Sequence, residues 1–115
     1  MFDFQKLEVY KKSKIFHLNC KRILADHKHD KYVTDQLGRA SFSIVLNIAE
    51  GSGKASLNDR RNYFTIARGS VFECVAVIDI LNEEERIASD IYELNLKLAD
   101  EISRMLYTMI KNLTK

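Results

Sequence analysis

The sequence contains no proline and no tryptophan, and only four of its 115 residues are glycine. Because glycine and proline supply most tight turns, their scarcity suits long helices with short turns and argues against a β-sandwich. The chain also lacks a run of about 18 apolar residues, so we expect no membrane span and a cytoplasmic location. With 46% hydrophobic and 30% charged residues, the composition is typical of one folded all-α domain over residues 1–115.

Cysteine and histidine are also scarce, with two and three residues respectively. We place Cys20 and Cys74 on buried helix faces and, because the sequence shows no secretory signal, predict reduced thiols and no disulfide. His27 and His29 are two residues apart, so on a helix their side chains point about 200° from each other. Neither Cys20 nor His17 completes a recognised ligand spacing with them, and we predict no metal site.

Little in the sequence could support catalysis. No nucleophile has an adjacent base, and no pair of carboxylates can be placed on a concave surface from its spacing. The letters GSGKAS at residues 51–56 resemble a phosphate-binding loop, but Ile48 stands where that motif has its first glycine, and Ala55 replaces the magnesium-binding hydroxyl. We therefore expect neither enzymatic activity nor a cofactor.

Four stretches carry apolar residues at helical spacing. Ser56 fits the N-cap of the third helix, with Asp59 as its capping partner. Since every connection is short, successive helices should run antiparallel, which predicts an all-α, up-down-up-down four-helix bundle. The predicted helices cover about Gln5 to Lys28, Thr34 or Asp35 to Gly51, Leu57 to Glu84, and the residues that follow a cap at Ser89 or Asp90.

Two of the glycines carry packing predictions. Gly51 lies just past the last residues of the apolar pattern, where glycine usually ends a helix, so we predict that the second helix stops there. Gly69 and Ser70 lie inside the third helix, where glycine costs about 1 kcal/mol relative to alanine. We expect this small pair to let a neighbouring helix approach closely.

The second helix has more apolar surface than a small bundle needs. Placed at 100° per residue, its apolar positions cover roughly two-thirds of the circumference, whereas an ordinary surface helix shows a stripe a little over 100° wide. The third helix likewise carries apolar residues away from its main core face. This surplus predicts a subunit contact, formed by Phe42, Leu46, Phe72 and Ile80.

Charge is distributed unevenly along the chain. Residues 1–72 hold 13 Lys and Arg against 7 Asp and Glu, and residues 73–115 hold 5 against 9, so a net charge of +6 is followed by one of −4. Part of the basic excess lies along one side of the first helix. This side is either an ordinary solvated helix face or a ridge that binds phosphates. No aromatic residues suited to base stacking alternate with these basic residues in the sequence. Binding would therefore be to the backbone and shape of the nucleic acid. The candidate ridge lies on the first helix and consists of Lys11, Lys14, Lys21, Arg22 and Lys28.

The third helix carries three further arginines, Arg60, Arg61 and Arg68. Arginine commonly forms ion pairs with carboxylates. We expect these arginines to pair with Glu50 or Glu73 of the same or a neighbouring subunit, in preference to contacting nucleic acid.

The pattern RAxxSIxxNIAEGxGK at residues 39–54 resembles the 23S rRNA-intervening sequence protein family. Weaker similarity continues through Phe4 and Leu7 near the start and through residues 64–73. Members of that family usually carry a proline in the second helix, where this chain has Val45. The polar residues of the chain that match the family's motifs are Arg39, Asn47, Glu50 and Arg68.

The resemblance implies a small four-helix bundle that assembles into a homo-oligomer, with a pentameric ring favoured. The family is typically encoded within insertions in large ribosomal RNA genes, and similar bundles accompany the reverse transcriptases of diversity-generating retroelements. The resemblance therefore implies a non-enzymatic protein that binds structured RNA, a reverse transcriptase or another ribonucleoprotein. The alternative is a protein-interaction scaffold with no nucleic-acid role.

Overall fold

The computed structural model describes residues 1–113 as four antiparallel helices that follow one 3-10 turn, Asp3–Lys6. Contacts join neighbouring helices around the bundle in chain order, so the first and third helices lie on one diagonal. The bundle measures 44 × 23 × 23 Å. The predicted all-α, up-down-up-down four-helix bundle is confirmed. Its helices are α1 (Glu8–Asp26), α2 (Lys31–Ser52), α3 (Leu57–Glu83) and α4 (Ser89–Asn112).

Each helix contributes one apolar stripe to a single core. Phe16, Ile44, Ile78 and Ile102 come from the four helices in turn, and none of them is exposed to solvent. Burying a side chain of this size stabilises the fold by roughly 1.5–3 kcal/mol. The spacing of the apolar residues therefore predicts the inward faces correctly.

The two cysteines meet at the centre of the bundle. Both are free, and neither is exposed. A hydrogen bond with the Cys20 thiol, followed by burial, raises the pKa of Cys74 well above its ordinary range. Because α1 and α3 are diagonal, this contact fills the middle of the core with two small, uncharged thiols.

Gly51 does not end the second helix, which continues to Ser52. A Cβ atom on Gly51 would lie 2.8 Å from Cβ of Tyr63 and 2.9 Å from Cε1 of Phe64. The prediction for this glycine is wrong because close approach of α3, and not helix termination, requires it. The prediction for Gly69 is also wrong. We expected a neighbouring helix to pack closely against it, but nothing in residues 1–113 lies within 4 Å of a Cβ atom built there.

The helix caps were predicted with mixed success. Ser56 caps α3 as expected, and its Oγ accepts a hydrogen bond of 3.1 Å from the backbone N–H of Asp59. The N-cap of α4 is Ala88, which provides no side-chain hydrogen bond. Ser89 is already the first helical residue, so the predicted cap at Ser89 or Asp90 is one or two positions too late.

The α3–α4 turn is built around Glu85, which has a φ of 57°. The N–H of Arg86 donates to the carbonyl of Leu81 at 2.9 Å, and the N–H of Glu85 donates to that of Asn82 at 3.1 Å. These two bonds are the signature of a helix end at which glycine is the preferred residue. Here glutamate occupies the left-handed position.

Candidate nucleic-acid and subunit surfaces

The basic ridge lies on the outer face of α1, but it is shorter than predicted. Because α1 ends at Asp26, Lys28 lies in the turn to α2, where its carbonyl accepts a hydrogen bond of 2.9 Å from Nη1 of Arg86. Lys28 therefore does not continue the helical series. The α1 ridge, as the structure defines it, consists of the exposed side chains Lys11, Lys14, Lys21 and Arg22.

Three members of the α1 ridge have no carboxylate partner among residues 1–113. Nζ of Lys11 lies 3.7 Å from Oε1 of Glu8. Across residues 1–113, by contrast, no carboxylate oxygen lies within 4.0 Å of the cationic groups of Lys14, Lys21 or Arg22. Three positive charges on one exposed helix face thus have no ion pair within the described part of the chain.

A shallow groove of about 520 Å³ separates the outer faces of α1 and α2, and we call it the α1–α2 groove. On one wall, Nδ1 of His17 hydrogen-bonds Oγ of Ser41 at 2.7 Å, and the His17 ring lies 5.5 Å from that of Phe42. Burial, and secondarily the charge of Lys21, lowers the pKa of His17 below its ordinary value. Lys21 of α1 and Arg39 of α2 also line this groove.

On the opposite side of the bundle, the groove between α3 and α4 is organised by Arg68. Its Cζ lies 4.9 Å from the centre of the Phe72 ring and 5.3 Å from that of Tyr107. Its Nε donates to the carbonyl of Ser103 at 3.2 Å. Arg68 is thus held by two aromatic rings and a backbone oxygen, an arrangement that suits a planar guanidinium.

Within the described chain, the expected ion pairs of the α3 arginines are not formed. Arg60 donates from Nε to the carbonyl of Lys54 at 2.5 Å, and Arg61 donates from Nη2 to Oδ1 of Asn58 at 2.9 Å. Glu50 instead lies 3.9 Å from Nζ of Lys54. The prediction is therefore wrong for pairing inside one subunit, because backbone and amide oxygens lie closer to these arginines than any carboxylate does.

The four apolar residues predicted to form one interface do not share one face. All are about half exposed, with values of 50% for Phe42, 48% for Leu46, 57% for Phe72 and 54% for Ile80. Phe42 lines the α1–α2 groove, whereas Phe72 lines the α3–α4 groove. Since the helices follow chain order around the bundle, these grooves lie on opposite sides.

No metal-binding group is formed by the described residues. Across residues 1–113, no three His, Cys, Asp or Glu side chains converge as a ligand set. The rings of His27 and His29 lie 6.2 Å apart and edge-on to each other. No helix in this part of the chain is both long enough and apolar enough to cross a bilayer.

A family model described as 23S rRNA-intervening sequence protein matches residues 5–108. The chain belongs to this family. It is also similar to a crystal structure from Bacteroides thetaiotaomicron, described as a protein with unknown function from the S23 ribosomal protein family. The TM-score is 0.83 at 26% identity, with coverage of 90% of this chain and 98% of that one. A comparison with curated proteins found no match.

In this member of the 23S rRNA-intervening sequence protein family, the polar motif residues have different surroundings. Nδ2 of Asn47 donates to the carbonyl and Oγ of Ser43, at 2.8 and 2.9 Å, and Ser43 Oγ lies 3.0 Å from Ser70 Oγ. Asn47 therefore supports the α2–α3 contact. Arg39 and Glu50 are exposed instead. Asn47 is thus structural, whereas Arg39 is available for binding.

Sequence reasoning missed that Phe42 and Lys21 line the same groove. These residues lie on different helices, and α1 carries no Phe, Tyr or Trp within one turn of Lys21. One partial signal exists, because Arg39 and Phe42 are three residues apart and therefore neighbours on one helix face. Placing Lys21 beside these two residues also requires the rotation of α1 relative to α2, which the sequence does not show.

Proposed function

We propose that this protein is a non-enzymatic, homo-oligomeric bundle that binds structured RNA or a ribonucleoprotein partner in the cytoplasm through the outer face of α1. The observation that carries this proposal is the exposure of Lys14, Lys21 and Arg22 without any carboxylate within 4.0 Å in residues 1–113. Cations placed in this way bind phosphates and release condensed counterions, which favours nucleic acid without selecting a sequence. Membership of the 23S rRNA-intervening sequence protein family supports RNA as the polyanion.

Oligomerisation belongs to the same proposal. Leu46 and Ile80 project from the outer faces of α2 and α3, and Phe72 lies beside Arg68 on the far side of α3. Two different apolar surfaces on one subunit suit a head-to-tail contact, which closes into a ring such as a pentamer. Because α1 is diagonal from α3, contacts made by α3 leave the α1 ridge open to solvent. A ring would present several ridges and gain affinity by avidity.

The RNA proposal is tested by comparing two triple variants with matched charge changes. Lys14→Gln, Lys21→Gln and Arg22→Gln remove two lysines and one arginine from α1. Lys97→Gln, Arg104→Gln and Lys111→Gln remove the same residue types from exposed positions of α4. Binding to a structured RNA is measured by fluorescence anisotropy across a range of salt concentrations.

If each α1 ridge neutralises about three phosphates, the log–log salt slope for duplex RNA should be near −3, and the α1 triple variant should flatten it. The α4 triple variant should retain the affinity and slope of the unmodified protein. Equal losses in both variants would show that only net charge matters. Unchanged binding in the α1 variant would remove the ridge from the proposal.

The second candidate is a protein-interaction scaffold, favoured by the half-exposed side chains Leu46, Phe72 and Ile80. Apolar side chains this exposed are used in protein contacts when they cluster. This candidate predicts a stable assembly that shows no salt-dependent RNA retention. The anisotropy experiment therefore separates the two functions.

A further inference from the structure

The α1–α2 groove combines an exposed aromatic ring with positive charge from two helices. Lys21 of α1 lines it together with Arg39 and Phe42 of α2, and no aspartate or glutamate is among the lining residues. Asp35, one turn before Arg39, is occupied by Lys31, whose Nζ lies 2.6 Å from its Oδ2. The groove therefore has the charge complementary to phosphate.

The Phe42 ring is held in place although half of its surface is open. His17 lies against the ring at 5.5 Å, with an angle of 42° between the ring planes. The hydrogen bond of 2.7 Å between His17 Nδ1 and Ser41 Oγ fixes that histidine in turn. Because Phe42 is 50% exposed and has His17 as a ring neighbour, it offers a supported aromatic surface on which a flat apolar group can stack.

The groove also has free space next to this ring. Gly38 lines the groove one turn before Phe42, and nothing lies within 4 Å of a Cβ built on it. Helix packing therefore does not require glycine at this position. The volume of about 520 Å³ falls in the range of small-molecule sites.

We infer that the α1–α2 groove binds an unpaired nucleotide of single-stranded RNA, with its base stacked on Phe42 and the adjoining phosphates held by Lys21 and Arg39. Aromatic side chains beside basic residues are the usual means of binding single strands, because every base has a flat face. A base inside a duplex is already stacked and cannot reach the ring. This inference rests on the proposed RNA binding, and Lys21 joins the groove to the α1 ridge.

The inference is tested with two probes, an oligouridylate of about 12 nucleotides and an RNA duplex of similar length. Phe42→Leu keeps an apolar side chain but removes the ring. It should weaken oligouridylate binding by about 5- to 150-fold, the range that corresponds to loss of one base stack. Binding of the duplex should stay within about twofold, because the duplex uses the α1 ridge alone. Phe2→Leu, which makes the same change at an exposed ring outside both the groove and the proposed subunit interface, is the matched control and should alter neither affinity.

A second pair of variants tests whether binding needs the free space beside Phe42 in the α1–α2 groove. Gly38→Leu places a side chain in the groove, whereas Gly69→Leu does so at an equally open glycine of α3. Only Gly38→Leu should reduce oligouridylate binding. Circular dichroism and sedimentation establish that each variant keeps its helices and its assembly state.

The outcomes separate this inference from the function on which it rests. If the unmodified protein binds neither probe, the proposed RNA binding fails, and the inference fails with it. If it binds the duplex but Phe42→Leu and Gly38→Leu leave oligouridylate binding unchanged, only the groove inference is overturned. A change of assembly state in Phe42→Leu would identify the ring as a subunit contact and would also overturn it.

Discussion

Gly51 of α2 lies so close to Tyr63 of α3 that a Cβ atom on Gly51 would be 2.8 Å from Cβ of Tyr63. The obstructing atom is attached directly to the α3 backbone, so it cannot move away by a change of rotamer. Space for α3 therefore depends on the absence of a side chain at residue 51. This contact determines how closely α2 and α3 pack near the turn that joins them.

Gly51→Ala should lower the free energy of unfolding by about 1–3 kcal/mol, because α3 must shift to admit the methyl group. Gly38→Ala is the control, since its Cβ meets nothing and alanine favours the helix by up to about 1 kcal/mol. Urea unfolding followed by circular dichroism measures both. A Gly51→Ala protein as stable as the Gly38→Ala protein would show that the helices separate without cost.

Glu85→Gly should raise the free energy of unfolding by about 1 kcal/mol, because Glu85 adopts a left-handed φ of 57° that glycine adopts without a Cβ penalty. Glu84→Gly removes the same charge at a residue with a φ of −83° and should not stabilise the fold. Thermal unfolding of the two variants distinguishes backbone conformation from charge. Equal stabilisation by both would assign the effect to the acidic run at residues 83–85.

Leu46→Glu should dissociate the proposed assembly while leaving the helices formed, because Leu46 is 48% exposed and contributes little to the core of one subunit. Ile15→Glu is the control on α1, where an equally exposed apolar side chain lies outside the proposed interface. Sedimentation velocity at micromolar concentration measures the assembly. If Ile15→Glu dissociates it and Leu46→Glu does not, the subunit contact is on α1.

Stability should decrease when the pH falls below about 6.5, and His17 should contribute to that decrease. Burial lowers the pKa of folded His17, so the unfolded chain binds its proton more readily. Its contribution to stability is complete above the unfolded pKa of about 6.5 and is lost as the pH falls toward the lower folded pKa. His17→Gln should reduce the difference between urea midpoints measured at about pH 7.5 and about pH 5.5.

A pH dependence that is identical in the His17→Gln protein and the unmodified protein would show that burial at this position has no thermodynamic effect.

Most of the helical architecture could be predicted from the sequence. Phe64, Ile78 and Leu81 recur at spacings that place them on one side of α3, and all three are buried. The cap at Ser56 was also predictable, because its bond to Asp59 joins residues three positions apart. Local spacing and local hydrogen bonds depend only on the chain near each residue, and therefore the sequence contains them.

Properties that depend on how two helices are rotated against each other could not be predicted in this way. The sequence by itself determined that Phe42 and Phe72 project from their helices, but only the tertiary structure placed them in grooves on opposite sides of the bundle. In the same way, it determined that Gly51 has no side chain, and the tertiary structure alone brought Tyr63 against it. The physical reason is that helical periodicity orients a side chain about its own axis, whereas packing of the whole core sets the distance and rotation between axes.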